Sequence, residues 1–232
     1  MSVTCLSAFT ATTALRLWID DVPRDGPHNM ALDEALLLTE AAPVLRVYRW
    51  AGPWVSIGYF TPRHEAKISF PDRPIVRRWT GGGIVDHASD WTYSLIVPAG
   101  EPLASHGTVE SYTLVHGALV RALRECGVPA RLADASASTR TGLCFAAAVR
   151  SDVVDARARK IAGAAQRRTR HGLLHQGSVQ GTAAPNSLAT AFALALAAQP
   201  PTPLLVPSGE QVALADTLTR QKYATAEWIE RR

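Results

Sequence analysis

The first candidate for chemistry is a stretch in which two arginines precede three consecutive glycines: Arg77, Arg78, Gly81, Gly82 and Gly83. Glycine adopts positive φ readily and lets another group approach the main chain closely. A guanidinium offers paired donors that suit a phosphate or a carboxylate. The stretch indicates a loop against which a ligand lies. The residues alone leave one alternative open, a glycine-rich hairpin loop with solvated arginines.

The second candidate is Lys160, which stands three residues before Gly163 in the stretch R-K-I-A-G. Of the 24 basic residues only three are lysines: Lys67, Lys160 and Lys222. An ammonium is a compact point donor whose pKa shifts readily, unlike that of a guanidinium. A lysine inside a glycine-containing motif of such a chain favours a chemical role, with chance placement as the alternative.

The cysteines and the charge restrict the class of protein. Cys5, Cys126 and Cys144 are odd in number and widely spaced, which indicates a reducing compartment with no disulfide framework and no zinc site. The net charge of +4 suits an acidic protein partner and is weak for a nucleic-acid binder. The usual glycine-rich nucleotide-binding motifs are missing from the sequence. We therefore expect no metal site and no nucleic-acid partner.

Length and composition favour one α/β domain. The chain has 232 residues, 47% of them apolar, and shows no repeat, long linker or composition break. No stretch reaches the roughly 20 apolar residues of a membrane span, and residues 1–18 lack the pattern of a signal or transit peptide. These features predict a cytoplasmic protein that does not enter a membrane.

The elements that must position these residues follow from periodicity and punctuation. We predict strands at 15–20, 44–50, 54–60, 75–78, 84–85, 91–97, 152–154 and 173–179. The second and third of these form a hairpin. We predict helices from Asn29, over 108–126, over 186–198, and from Ser208 with Gln211 as its capping box. Cys126 falls on the apolar face of its helix, and the polar segment 133–143, a loop, ends before Cys144. The order of elements indicates a mixed rather than an alternating βαβ arrangement.

Three stretches together resemble one known family: NMALDEALL at 29–37, RRWTGGGIVDH at 77–87 and RKIAGAAQRRTRHGLLHQGS at 159–178. They are similar in order and spacing to the lipoate–protein ligase A and octanoyltransferase family, closest in pattern to the cysteine-type octanoyltransferases. Segments 46–60 and 222–232 also resemble it. The resemblance implies the biotin/lipoate protein ligase catalytic-domain fold, a mixed β-sheet flanked by helices. It implies one catalytic domain over 1–232 without a C-terminal accessory domain.

The resemblance also implies the activity and the site. Family members attach an octanoyl or lipoyl group to one lysine of an acidic lipoyl carrier domain, in 2-oxoacid dehydrogenase E2 or in the glycine cleavage H protein. Lys160 would stabilise the acyl carbonyl as an oxyanion donor. The substrate-binding residues implied are Arg77, Arg78, Gly81, Gly82, Gly83, His87, Gly163 and His175. For the two histidines, a hydrogen-bonded core position is the alternative.

Two chemistries occur in the family. Cysteine-type transferases take the acyl group from acyl carrier protein onto a cysteine, matched here by Cys144, and need no cofactor. A nearby ammonium such as Lys160 would lower the pKa of that thiol below ~8.5. Ligases instead use ATP and Mg²⁺ to form lipoyl-AMP. We favour the transferase, with the ligase as alternative and a non-catalytic binding relative as a third possibility.

Overall fold

The computed structural model describes residues 10–134, 148–181, 187–204 and 206–231. Cys144 and most of the predicted loop 133–143 lie outside the described residues. Within these ranges the chain forms an eight-stranded sheet flanked by helices and a second, three-stranded sheet. This arrangement confirms the predicted mixed sheet with flanking helices.

Seven α-helices and one π-helical turn lie in the described ranges. They are α1 (Gly26–Thr39), α2 (Arg63–Ser69), α3 (Pro102–Ser105), α4 (Thr108–Glu125), α5 (Leu188–Leu196), α6 (Gly209–Leu218) and α7 (Ala226–Glu230), with a π-helical turn at Thr219–Tyr223. Of the helices in the described ranges, none combines the length and the apolar character needed to cross a bilayer.

The strands divide between the two sheets. They are β1 (Arg16–Arg24), β2 (Val44–Trp50), β3 (Val55–Ile57), β4 (Ile75–Arg77), β5 (Ile84–Asp86), β6 (Trp91–Pro98), β7 (Arg131–Leu132), β8 (Val153–Val154), β9 (Lys160–Thr169), β10 (Gly172–Val179) and β11 (Thr202–Pro203). The large sheet has the order β11-β1-β2-β6-β10-β9-β8-β7, and the small sheet has the order β4-β3-β5. In the large sheet β1 pairs in parallel with β2 and β11, and the other pairs are antiparallel.

The large sheet is buried on both faces. Successive side chains of a strand point to opposite faces, so Leu95 and Leu173 pack in the cluster with α4 and α5. Their neighbours Ile96 and Leu174 pack in the cluster with α1 and α6. Burial on both faces explains why these strands read as continuous apolar runs rather than as alternating ones. The helices hold the sheet rigid between two cores.

The first helix begins earlier than predicted. It starts at Gly26 rather than Asn29, because the Asp25 side chain accepts from the His28 backbone N–H at 2.8 Å and Pro27 occupies the first turn. Asn29 instead donates to the Arg24 and Arg49 carbonyls. It therefore ties the helix to the ends of β1 and β2.

The predicted hairpin between 44–50 and 54–60 is wrong. Both edges of β2 are occupied by β1 and β6, so the chain turns away and β3 begins the small sheet. There β3 lies between β4 and β5. Because β4 and β5 do not pair, the glycine stretch between them passes across the end of β3. The hairpin-loop alternative for the glycine stretch is therefore also wrong.

Most of the other predicted elements are confirmed, with shifts at their ends. β2, α4 and α5 match their predictions to within about two residues at each end, and the Ser208–Gln211 capping box is present. Several elements were not predicted, among them α2, in a segment with several prolines, and β9, whose sequence KIAGAAQRRT has no alternation of apolar and polar residues. β9 matters most, because it carries Lys160 and Gly163.

Candidate active site

The glycine stretch folds around the side chain of Arg78. This guanidinium donates to the carbonyls of Gly81 and Gly83, each at 3.0 Å, and to the Ser56 hydroxyl at 2.6 Å. Gly82 adopts φ of +84°, a conformation that favours glycine. A Cβ on Gly58 would lie 1.9 Å from the Gly82 carbonyl oxygen, so Gly58 permits the close packing of the loop. Arg78 thus shapes the loop that the sequence singled out.

A narrow cleft with a cavity volume of about 30 Å³ opens beside this loop, between the small sheet and the β9–β10 hairpin. It is lined by Tyr48, Trp50, Ser56, Arg78, Val85, His87, Thr92, Gly163, Ala164, Ala165, Gln176, Gly177 and Ser178. Small residues on β9 and β10 form one wall, and a Cβ on Gly177 would fall within the Tyr93 ring. Of the predicted substrate-binding residues, Arg78, His87 and Gly163 meet here.

His87 is buried at one side of the cleft. Its Nε2 lies 2.6 Å from the Ser56 hydroxyl, and its Nδ1 lies 2.7 Å from the Asp90 carboxylate. The Trp50 ring stacks on the imidazole, with ring centroids 4.0 Å apart. These contacts fix the ring orientation, so His87 is one of the most tightly positioned side chains of the cleft.

Lys160 begins β9 and lies beside Gly163. Its ammonium pairs with Asp152 at 2.7 Å, and the two side chains are 4% and 0% exposed. A Cβ on Gly163 would approach Lys160 Cε to 2.6 Å and Nζ to 2.7 Å, so the lysine chain occupies the space that a side chain would take. Tyr112 donates to the other oxygen of Asp152 at 2.7 Å. The lysine is therefore a buried, oriented cation next to the cleft.

His175 lies outside the lining of the cleft. Its Nδ1 accepts from the Gln166 amide at 3.0 Å and its Nε2 lies 3.2 Å from the Tyr93 hydroxyl. Burial, with the nearby His116 as a smaller cause, holds the pKa of His175 well below its usual value. These contacts match the alternative of a hydrogen-bonded core histidine.

Arg77 is also placed differently from its expectation. It is fully buried, and its guanidinium donates to five backbone carbonyls, those of Gly58, Tyr59, Thr61, Trp228 and Ile229, at 2.7–3.0 Å. The Trp228 indole returns a hydrogen bond to the Arg77 carbonyl. Every donor of this side chain therefore faces the protein itself, and Arg77 joins the small sheet to α7.

All three lysines of the chain make polar contacts. Lys67 donates to the Pro71 carbonyl at 2.8 Å, and Lys222 pairs with Glu34 at 2.6 Å while lying over the Trp79 and Trp228 rings. Lys160 pairs with Asp152 as described above. Of the three, Lys160 lies beside Gly163, which lines the cleft.

Several residues at the site were not predicted from the sequence: Ser56, Gly58, Asp90, Tyr112 and Asp152. Asp90, three residues after His87 in a polar break between strands, carried a signal that could have been read. Asp152, directly before an apolar pair, could have been proposed as a partner for a buried lysine. Ser56 and Gly58 lie in an unremarkable strand, and only the fold brings them to the cleft.

Cys144 falls between the described residues Asp134 and Ala148, so its placement is not described. The described residues on either side of that gap converge on Asp152. The Ala133 N–H donates to the Asp152 carbonyl, and the Val149 N–H donates to the Asp152 carboxylate, both at 2.8 Å. The chain thus leaves and re-enters the described region beside the partner of Lys160.

The sequence of this chain is similar to those of known octanoyltransferases. Octanoyltransferase LipM of Oceanobacillus iheyensis is 35% identical over 172 residues, covering 70% of this chain and 62% of that protein. LipM of an Exiguobacterium species is 36% identical over 168 residues, covering 65% and 60%. The chain therefore spans less than two thirds of the length of these relatives.

Solved structures share the fold. A bi-partite lipoate protein ligase from Thermoplasma acidophilum matches with a TM-score of 0.71 at 21% identity, covering 94% of this chain and 96% of that one. A lipoate-protein ligase A bound with ATP matches with a TM-score of 0.74 at 21% identity, covering 94% and 99%. The model of the lipoyl protein ligase A/B catalytic domain matches residues 25–199. The glycine loop, Lys160 and the cleft all lie within that match, and the chain belongs to the lipoyl protein ligase A/B catalytic-domain family.

Proposed function

We propose that this protein transfers an octanoyl or lipoyl group to a specific lysine of a lipoyl carrier domain, through a thioester on Cys144. The observation that carries the proposal is the cleft between the small sheet and Gly163–Ala165, with the buried ammonium of Lys160 beside Gly163. Its apolar walls suit an alkyl chain. The similarity to octanoyltransferases supports the same activity.

The reaction divides into two balanced steps. In the first, Cys144 gives up its proton and its thiolate attacks the acyl carbonyl of a thioester donor; the donor's C–S bond breaks, and the leaving thiolate takes up that proton. In the second, the carrier lysine amine attacks the Cys144 thioester, an amide forms, and the proton lost by the amine returns to the thiolate. Lys160 donates to the carbonyl oxygen as negative charge develops on it. Neither step needs a cofactor.

The second candidate is an ATP-dependent lipoate–protein ligase, supported by the fold shared with a ligase that binds ATP. ATP and Mg²⁺ would activate free lipoate as lipoyl-AMP before the carrier lysine accepts it. A non-catalytic binding relative is the least favoured, because Lys160 and the glycine loop are both retained in a formed cleft.

The partners and setting follow from the same proposal. The acceptors are lipoyl domains of 2-oxoacid dehydrogenase E2 or the glycine cleavage H protein, and acyl carrier protein is the donor. A similar archaeal ligase was solved in a study of its E2 lipoyl domain, and the net charge of +4 suits acidic carriers. A cytoplasmic location and a single catalytic domain over 1–232 stay predictions.

Intact-mass measurement after incubation with octanoyl-acyl carrier protein tests the proposal. We expect an octanoyl adduct that hydroxylamine releases, and its transfer to an added lipoyl domain. Cys144→Ser removes the adduct, because a serine hydroxyl is almost wholly protonated near neutral pH and makes a far weaker nucleophile than a thiolate.

The matched control is Cys126→Ser, which changes a half-buried cysteine after the end of α4 whose sulfur lies 3.4 Å from the Ser187 hydroxyl. This variant keeps the adduct. Lipoyl-domain modification that requires lipoate and ATP, with no adduct from the carrier protein, contradicts the transferase and favours the ligase.

A further inference from the structure

Three residues of the cleft form a continuous chain of hydrogen bonds between a hydroxyl, an imidazole and a carboxylate. The Ser56 Oγ lies 2.6 Å from His87 Nε2, and His87 Nδ1 lies 2.7 Å from Asp90 Oδ2. These are the distances at which a nucleophile, a general base and an orienting carboxylate act together. None of the three takes part in the bond-making steps of the cysteine-based route described above, in which His87 was expected only to bind substrate.

The direction of each hydrogen bond follows from the donors available. Asp90 accepts at Oδ2 from Thr92 at 2.8 Å and from Ser178 at 2.6 Å, so it acts as the acceptor for His87 Nδ1–H. His87 Nε2 then carries the lone pair, and the Ser56 hydroxyl donates to it. The proton on Ser56 thus already points to the base.

Arg78 completes the arrangement on the other side of the serine. Its guanidinium donates to Ser56 Oγ at 2.6 Å. A positive group in this position stabilises negative charge on the oxygen when the proton moves to His87. The Trp50 ring stacked on the imidazole keeps the base in place. Ser56 is therefore activated from both sides.

Ser56 is buried, but it lines the cleft together with Arg78 and His87. The acyl chain of the proposed transferase would lie in the same space. An acyl carbonyl in this cleft therefore has a serine hydroxyl within the lining and a base behind that hydroxyl. If Ser56 served only as a hydrogen-bond acceptor for Arg78, it would not require His87 and Asp90 behind it.

We propose that Ser56, His87 and Asp90 form a second acyl site that hydrolyses medium-chain acyl thioesters; the proposal rests on the cleft binding the acyl group. Ser56 Oγ bonds to the acyl carbon as its proton moves to His87, the C–S bond breaks, and the thiolate takes that proton. Water then attacks the ester, gives a proton to His87, and the proton passes to Ser56 as the carboxylic acid leaves.

Covalent labelling tests the nucleophile. An octyl fluorophosphonate is incubated with the wild-type chain, and peptide mass spectrometry locates the adduct. We expect label on Ser56 and none there in Ser56→Ala. Ser111→Ala is the control, since the Ser111 hydroxyl is held by Gly107 and Gln166 rather than by a histidine. Its Ser56 is labelled as in the wild type. A wild-type chain with Ser56 unlabelled overturns the proposal.

Hydrolysis tests the activity apart from the transferase. In a Cys144→Ala background, octanoate release from the octanoyl thioester of N-acetylcysteamine is measured alongside thermal unfolding. We expect release that Ser56→Ala abolishes and that His87→Gln lowers by about 10²–10⁴-fold. Lack of release, or release that survives Ser56→Ala, overturns the proposal. Acylation of a lipoyl domain by the parent chain is assayed separately, so failure of one activity does not imply failure of the other.

Discussion

Lys160 lies where it does because Gly163 has no side chain. The lysine chain passes across the position of a Gly163 Cβ, and Asp152 holds its ammonium. A buried ion pair of this kind contributes orientation more than stability, because desolvation offsets much of the Coulomb attraction. The geometry of the proposed oxyanion donor therefore depends on a neighbour that has no side chain.

Gly163→Ala tests this dependence. The new methyl displaces the end of a flexible side chain rather than backbone, so the fold remains and Lys160 moves. We expect acyl transfer to fall by about 10²-fold, the effect of misplacing a catalytic group by about 1 Å. The free energy of unfolding changes by less than about 1 kcal/mol. The measurements are lipoyl-domain acylation and urea unfolding.

Gly100→Ala serves as the matched control, since a Cβ there meets no atom within 4 Å. Acylation by this variant should equal that of the wild type. Unchanged acylation by Gly163→Ala would mean that the position of Lys160 is unimportant to the reaction.

At the scale of elements, α4 places His116 against the sheet beside Asp152 and Lys160. His116 Nδ1 donates to the Ser151 carbonyl at 2.7 Å, and its ring centroid lies 5.6 Å from that of His175. Burial, the largest cause, lowers the pKa of His116 to about 4. The helix thus keeps a neutral imidazole under the site.

The stability of the fold should depend on pH for this reason. His116 titrates near 6.5 when unfolded and near 4 when folded, so the unfolded chain binds the proton first as the pH falls. The contribution of His116 to the free energy of unfolding is fully present above about pH 6.5 and is lost as the pH falls to about 4. We expect His116 to contribute about 2 kcal/mol of loss between pH 7 and pH 5. Urea unfolding at the two values measures it.

His116→Asn keeps a donor for the Ser151 carbonyl and removes the titration, so its stability should fall less over the same interval. His175, whose pKa is also lowered by burial, acts in the same direction and remains in both proteins. An equal loss in the wild type and the variant would contradict the assignment to His116.

Elements were predictable from sequence where local signals agreed with their surroundings. α4 shows apolar spacing of three and four, and α6 carries its own capping box. β9 could not be predicted, because its small residues line the cleft and its arginines are half-buried, so no period-2 pattern arises. The false hairpin arose because strand pairing is decided by distant neighbours, here β1 and β6, rather than by the connecting turn.

The same division holds within the site. The three glycines and the lysine of the motifs could be identified as site candidates from the sequence, since their residue types are unusual at those positions. Asp90 and Asp152 carried only weak signals, and Ser56 carried none, because ordinary polar residues gain a role mainly from contacts across the fold. Arg77 and Arg78 look identical in sequence, yet one faces the protein interior and the other the glycine loop.

For the molecule as a whole, Arg77 joins segments that are more than 150 residues apart in sequence. Its guanidinium binds the carbonyls that follow β3 and those at the end of α7. A buried side chain with several charge-assisted hydrogen bonds has no equivalent among uncharged residues. The small sheet, and with it the glycine loop, is therefore held from the C-terminal helix.

Arg77→Met should destabilise the whole fold. It leaves buried carbonyls without donors, and we expect a loss of at least about 3 kcal/mol in the free energy of unfolding. Arg159→Met is the control, because Arg159 is exposed and its pairing with Asp155 contributes at most about 1 kcal/mol. Urea unfolding compares them. A stable Arg77→Met protein that no longer binds an acyl substrate would return Arg77 to the substrate-binding role.

The three lysines have a consequence for the proposed transferase, which would carry an activated acyl group. Any amine with a free lone pair near such a group can itself be acylated, whereas guanidinium groups stay protonated and unreactive. Here all other basic side chains are arginines, and each lysine ammonium is held by a carboxylate or a carbonyl. The chain thereby offers its own cargo almost no competing acceptor, and the incoming carrier lysine is left as the available nucleophile.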